Sequence, residues 1–267
     1  MKPDTSYNQH SGSSPTDSLN QDSTPIVLLH GWGMNKNIWL PFIESLSNEL
    51  QQRITTLDLP GFGSNEFMPA QYDMANLANW LDQQVQSKSI VLGWSLGGLV
   101  AQQFAIEQSK KVHKLGLIAS SPKFMSDTDW KGIEQEVLTL FADQLSIDHK
   151  LTIERFLAIQ AMGTPSAKQD IKRIRDLVLS APTPKIEALI KGLDLLQDVD
   201  LRDSFSNFKM PVSGIFGRLD SLIPHKTVKV MASMNQDLDI EVINKASHAP
   251  FISHPEQFKD WFERFVN

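Results

Sequence analysis

The sequence predicts an α/β fold: a mostly parallel, doubly wound sheet with one block of helices inserted into it. Three observations predict this. Short, nearly continuous apolar runs recur along the chain, the pattern of strands buried on both faces of a parallel sheet. Segments with apolar residues at helical spacing fall between those runs. The alternation breaks once, between Phe124 and Arg202, where only helical patterns remain.

Composition bounds the classes of function. The 267 residues suffice for one α/β domain with an insertion, and 41% hydrophobic against 21% charged residues is an ordinary globular balance. A formal net charge of -6 gives no reason to expect nucleic-acid binding. The chain has no cysteine, which excludes disulfides, thiolate metal sites and a cysteine nucleophile. No apolar stretch approaches the roughly 18 residues of a membrane span, and Lys2 has no apolar run behind it to make a secretory signal. The expectation is a cytoplasmic monomer without metal or organic cofactor.

The elements follow in order. Residues 1–24 are rich in Ser, Asp, Asn, Gln and Thr, a composition that cannot offset its ordering entropy by burial, and read as a disordered tail. From Pro25 the character changes. Strands are expected at Ile26 to Leu29, Ile54 to Asp58, Ser89 to Gly93, Lys114 to Ala119, Val212 to Gly217 and Ile240 to Ile243. Trp39, Phe42, Ile43, Leu46 and Leu50 recur at helical spacing, as do Leu77, Leu81 and Val85. A further helix is expected from Leu96 to Ile106, and Phe258, Trp261, Phe262 and Phe265 mark a closing one. The core is thus 25–123 and 203–267. Residues 124–202 form a helical lid, with turns at Gly163-Thr164-Pro165 and Pro182-Thr183-Pro184.

Chemistry concentrates at strand ends. Gly93-Trp94-Ser95-Leu96-Gly97 follows an apolar strand and opens a helix. A turn this sharp strains the serine backbone and exposes its hydroxyl, while the helix N-terminus favours developing negative charge. Ser95 is therefore the candidate nucleophile. A tetrahedral oxyanion needs donors, and the backbone N–H groups of Leu96 and of Trp32, in His30-Gly31-Trp32-Gly33, are placed to supply them. Asp220 lies in the loop after the Val212 strand, and His248 in the loop after the last strand. A carboxylate in that position orients the histidine and stabilises its imidazolium form. His254, beside Pro255, reads as a surface or capping residue, and Asp198, Asp200 and Asp203 lack a preceding strand.

The order Ser95, Asp220, His248 resembles that of the α/β-hydrolase superfamily. In that order His30, which precedes the serine, is structural rather than the base. Narrower runs carry a closer resemblance. Leu28 to Gly33, Asp58-Leu59-Pro60-Gly61-Phe62-Gly63, Leu92 to Val100, Glu154 to Ala158, Gln160 to Thr164 and Ala249 to Pro255 are similar to the pimeloyl-acyl-carrier-protein methyl ester esterases of biotin synthesis, from about Ile26 onward. The resemblance implies release of methanol from a carrier-bound pimeloyl methyl ester. It implies catalytic roles for Ser95, Asp220 and His248, with Trp32 and Leu96 at the oxyanion and substrate site. It also implies substrate contacts from Phe156, Leu157, Ala158, Ile159 and Gln160, and docking of an acidic carrier protein on Arg155, Lys168 and Lys172. Two departures stand out. Lys168 and Lys172 replace arginines of the family's best-known member, and Leu151, next to Lys150, replaces another; lysine lacks the bidentate reach of arginine. The family also carries strand residues ahead of the Ile26 strand, where this chain is polar.

Charge gives an independent indication. Between Lys150 and Lys191 there are eight basic and four acidic side chains, in a chain that is otherwise acidic. Lys168, Lys172 and Arg175 recur at i, i+4 and i+7 on one helical face. A basic lid over an acidic body steers acidic macromolecules; a merely solvated face is the alternative. Other readings of the chain are a general short-chain carboxylesterase, a carbon–carbon bond hydrolase of the same fold, and a non-catalytic ligand receptor on this scaffold. Ser95 at the elbow, where dehalogenases and epoxide hydrolases need an aspartate, speaks against those two.

Overall fold

The computed structural model describes residues 23–267. The expected tail therefore lies outside the described residues except at its end, where Thr24 is buried and its carbonyl accepts a hydrogen bond from Arg53 Nε at 3.1 Å.

Six strands form one sheet: β1 (Ile26–Leu29), β2 (Ile54–Leu57), β3 (Ser89–Trp94), β4 (Val112–Ile118), β5 (Val212–Gly217) and β6 (Leu238–Ile243), in the order β2-β1-β3-β4-β5-β6. Every neighbouring pair is parallel. Strands β1, β3 and β5 are buried along their whole length, which is why they read as unbroken apolar runs, whereas edge strand β2 is only partly covered. The chain leaves β1 toward β2 on one side and returns to β3 on the other. The carboxyl ends of β1 and β3 therefore flank a topological switch point, where ligands of open α/β sheets bind.

The helices are α1 (Leu40–Glu44), α2 (Asn48–Arg53), α3 (Met74–Gln84), α4 (Leu96–Glu107), α5 (Gln135–Ile147), α6 (His149–Gln160), α7 (Ala167–Leu179), α8 (Ile186–Asp198), α9 (Arg202–Phe205), α10 (His225–Met234), α11 (Pro250–Ser253) and α12 (Pro255–Val266). The run from Trp39 to Leu50, helical in its spacing, is not one helix. A 3-10 turn at Lys36–Trp39, α1 and α2 divide it. Ser45 Oγ donates to the Phe42 carbonyl at 2.6 Å, and Ser47 Oγ accepts from Leu50 N–H to cap α2. These local bonds compete with a continuous helix. The apolar face survives the break: Phe42 packs edge-on against Phe258 and Phe262 of α12.

Between β4 and β5 the chain builds α5 to α9, and the two expected turns fall between α6 and α7 and between α7 and α8. The helices-only expectation fails at the start of this insertion. Residues 124–133 form an irregular loop pinned by a bridge between Met125 and Ile133. Lys123 and Asp200, where the insertion begins and ends, are joined by an antiparallel bridge. Lys123 pairs with Asp127 and Asp200, and Arg202 pairs with the same two carboxylates while lying over the Trp130 ring.

Candidate active site

Ser95 joins β3 to α4 with φ 54°, a left-handed conformation that non-glycine residues rarely adopt. Its surroundings hold it there. The Ser95 N–H donates to the Ile118 carbonyl at 3.0 Å, and Ser120 Oγ donates to the Ser95 carbonyl at 2.8 Å. The flanking glycines are required by close approach: a Cβ at Gly93 would lie 2.2 Å from the Gly97 carbonyl oxygen, and one at Gly97 would lie 2.5 Å from that of His30.

Trp32 follows β1, and its backbone N–H has no protein acceptor among the described residues. Its indole is fully buried, donating from Nε1 to the Leu189 carbonyl of α8 at 2.8 Å and meeting Phe156 edge-on at 4.8 Å. The N–H of Leu96 opens α4, where no carbonyl of the same helix is available to it. Both groups can serve an oxyanion.

His248 and Asp220 meet as the sequence predicts. His248 Nδ1 donates to Asp220 Oδ2 at 2.7 Å, and Asp220 Oδ1 accepts the N–H groups of Leu222 and Ile223 at 2.8 and 3.0 Å. A carboxylate on Nδ1 leaves Nε2 as the basic nitrogen. The backbone of His248 is held as firmly. Its carbonyl accepts from Trp94 Nε1 at 2.8 Å, and its N–H, with that of Ala249, donates to the Gln160 carbonyl. His248 Nε2 is buried and unpartnered among the described residues, and the Ser95 hydroxyl makes no hydrogen bond to it. Such contacts commonly tighten only when substrate is bound.

His30 has a different task. Nδ1 donates to the Gly31 carbonyl at 2.8 Å, and Nε2 accepts from Leu59 N–H at 3.0 Å. Complete burial pushes its pKa down to about 4, against opposing effects of the Gly31 carbonyl and the nearby Asp58 carboxylate, so the ring is neutral. The His254 ring meets Ser253 Oγ, and its backbone carbonyl accepts from the Phe258 N–H at the start of α12.

Over Ser95 lies an apolar slot lined by Phe124, Leu138, Phe141, Phe156, Leu193 and Leu222, among others. Its free space is ≈ 10 Å³, about one water molecule. No charged side chain lines it. The insertion residues marked by resemblance divide. Phe156 faces this slot, and Leu157 lines a separate groove between α6 and α7. Ala158 is exposed, Ile159 half-buried, and Gln160 acts through its carbonyl on the His248 loop. Arg155, Lys168 and Lys172 are exposed and have no ion-pair partner among the described residues. Sequence reasoning placed α8 within the helical insertion but did not single out Leu189, Leu193 and Leu196, which face inward at i, i+4 and i+7; that periodicity was the available signal.

Comparison with known proteins agrees with this architecture. Residues 24–255 match the model of the alpha/beta hydrolase fold family. The esterase from Exiguobacterium antarcticum superposes with a TM-score of 0.80 at 22% identity, covering 91% of both chains; the enol-lactonase from Burkholderia xenovorans gives 0.76 at 17%, again covering 91% of each. Among curated relatives, the pimeloyl-[acyl-carrier protein] methyl ester esterase of Pseudoalteromonas atlantica is 47% identical over 87% of this chain and 90% of its own. Its namesake in Aliivibrio salmonicida is 45% identical over 92% and 93%. The chain is a carboxylic ester hydrolase of the α/β hydrolase fold. Within that fold it belongs to the pimeloyl-[acyl-carrier protein] methyl ester esterase family.

Proposed function

We propose that the chain hydrolyses the methyl ester of pimeloyl-acyl-carrier protein, in biotin synthesis, by a two-step acyl transfer at Ser95. The observation that carries the mechanism is the Asp220–His248 pair, with Nε2 left free next to the elbow. His248 Nε2 removes the Ser95 proton as Oγ adds to the ester carbonyl, and the N–H groups of Trp32 and Leu96 receive the oxyanion. Collapse expels methoxide, which takes the proton from His248 and leaves as methanol. Water, deprotonated in turn by His248, then cleaves the acyl-enzyme to the free carboxylic acid and restores Ser95. All three residues come from one chain, so a monomer suffices. A carrier-protein substrate and a cysteine-free sequence both fit a cytoplasmic location.

Recognition of the carrier is assigned to the lid. Arg155, Lys168 and Lys172 present unpaired positive charge on α6 and α7, suited to an acidic partner. The test is kcat/KM on the carrier-bound methyl ester against a free short-chain methyl ester, at low and high salt. Preference for the carrier-bound ester, fading with salt, is expected; equal and salt-independent rates would reduce the enzyme to a general carboxylesterase. Ser95→Ala should cost at least about 10⁴-fold in kcat and block labelling by a fluorophosphonate; an unlabelled wild-type protein would favour the receptor reading.

A further inference from the structure

The Leu96 N–H, assigned to the oxyanion, belongs to the same peptide unit as the Ser95 carbonyl. That unit is planar, and no peptide bond among the described residues is cis, so the two groups point in opposite directions. Whatever fixes the carbonyl therefore also aims the N–H. The carbonyl accepts from the N–H groups of Gly98 at 2.9 Å and Leu99 at 3.3 Å, both in the first turn of α4. It also accepts from Ser120 Oγ at 2.8 Å, a contact from the neighbouring strand end that no helix start requires.

Three features bring Ser120 there. Ala119, directly after β4, has φ 42°, a left-handed conformation like that of Ser95, and its N–H is held by the Ile215 carbonyl of β5 at 2.9 Å. Gly98 leaves the space: a Cβ there would lie 2.3 Å from Ser120 Oγ. Gln102, about one turn further along α4, donates from Nε2 to the carbonyls of Gly98 at 3.0 Å and Ser121 at 3.2 Å. It ties the 119–121 turn to the helix that begins at the elbow. Ser120, Ser121 and Gln102 are all wholly buried, and Gln102 Oε1 has no partner among the described residues. A buried amide satisfied on one side only costs stability that a methionine of similar size would not, so packing alone does not account for it.

We propose that Ser120 is a positioning residue for the oxyanion donor, and that Gln102 holds Ser120 in place. Ser120 does not line the slot over Ser95. It acts through the Ser95–Leu96 peptide, aiming the Leu96 N–H at the oxygen that becomes negative as Ser95 Oγ adds to the ester. Its O–H also polarises that peptide, which strengthens the N–H as a donor. The inference rests on the assignment of Ser95 as nucleophile and Leu96 as donor.

The experiment compares the wild-type protein, Ser120→Ala and Gln102→Met on a chromogenic short-chain ester, and measures inhibition by an alkyl trifluoromethyl ketone. Addition of Ser95 Oγ to that ketone breaks the carbonyl π bond, leaves a negative oxygen for the donors and passes the serine proton to His248. Ser120→Ala should lower kcat about tenfold with KM unchanged, less than the about 10²–10³-fold of a donor lost outright. The inhibition constant of the ketone should rise by the same factor, because the adduct copies the charge of the transition state. Gln102→Met should also lower kcat at constant KM, with no loss of thermal stability; should Ser120→Ala fail to fold, this variant decides. Thermal destabilisation with unchanged ketone inhibition, and unchanged kcat per site titrated by a fluorophosphonate, would make both residues structural and overturn the proposal. A rise in KM with kcat held would overturn it too, since Ser120 would then serve ground-state binding. Failure of the fluorophosphonate to label the wild-type protein is a separate result, and overturns the assignment of Ser95 itself.

Discussion

The backbone carbonyl of Gln160, the last residue of α6, accepts a hydrogen bond from the N–H of His248 at 3.1 Å. The insertion that covers the site therefore also fixes the backbone of the residue assigned as base. Displacement of α6 is felt at His248 without any side chain passing between them.

Loosening α6 should thus be visible at a distance. Phe156→Ala removes a buried ring that packs on Trp32 and Phe141, a change that costs about 3–5 kcal/mol when the cavity cannot collapse. Amide hydrogen exchange of the His248-Ala249 segment is expected to accelerate in this variant, while exchange in β3 and β4 stays slow. Unchanged exchange at His248 would uncouple the insertion from the base.

Asp220→Asn keeps an acceptor for the Leu222 and Ile223 N–H groups but no longer stabilises the tautomer with its proton on Nδ1. A loss of about 10⁴-fold in kcat is expected, with the fold retained. Steady-state rates and circular dichroism on the same preparation check both halves of the statement.

Gly192 of α8 faces the Trp32 indole, where an added Cβ would lie 2.7 Å from Cδ1. Gly192→Ala must move either α8 or the ring, and with the ring the loop whose Trp32 N–H is proposed to receive the oxyanion. Displacement of that donor by about 1 Å would lower kcat by up to about 10²-fold. The expected signature is a fall in kcat with little change in thermal stability.

His30 makes folding sensitive to mild acid. Its folded-state pKa of about 4 lies below the ordinary 6.5, because burial disfavours the charged ring. The unfolded chain binds the extra proton first, so the stability this neutral histidine contributes is complete above pH 6.5 and declines as pH falls toward 4. Asp58 and Lys36 are the charged groups nearby. Denaturant unfolding between pH 7 and 4 should show this decline. His30→Gln, less stable overall, should show a shallower slope across that interval.

The sheet was legible because burial on both faces leaves a plain mark: β1, β3 and β5 are unbroken apolar runs, and Ser95, Asp220 and His248 were each read from a position after a strand. The break between α1 and α2 was hidden because Ser45 and Ser47 act through local hydrogen bonds that apolar spacing does not encode. The slot over Ser95 was hidden for another reason. Phe124, Phe141, Leu193 and Leu222 come from four separate segments, and only tertiary packing brings them together. Gln160 could be flagged only by resemblance, and its contact with His248 uses a carbonyl that every residue possesses.

The bridge between Lys123 and Asp200 places the two ends of the insertion side by side. To the sheet, the whole of α5 to α8 is equivalent to a short turn, since loop length adds little to the free-energy cost of closing it. Descent can therefore rewrite the apolar slot over Ser95 and the basic surface together while β4 and β5 keep their register. New substrates become reachable by exchanging one contiguous cassette, with Ser95, Asp220 and His248 inherited unchanged.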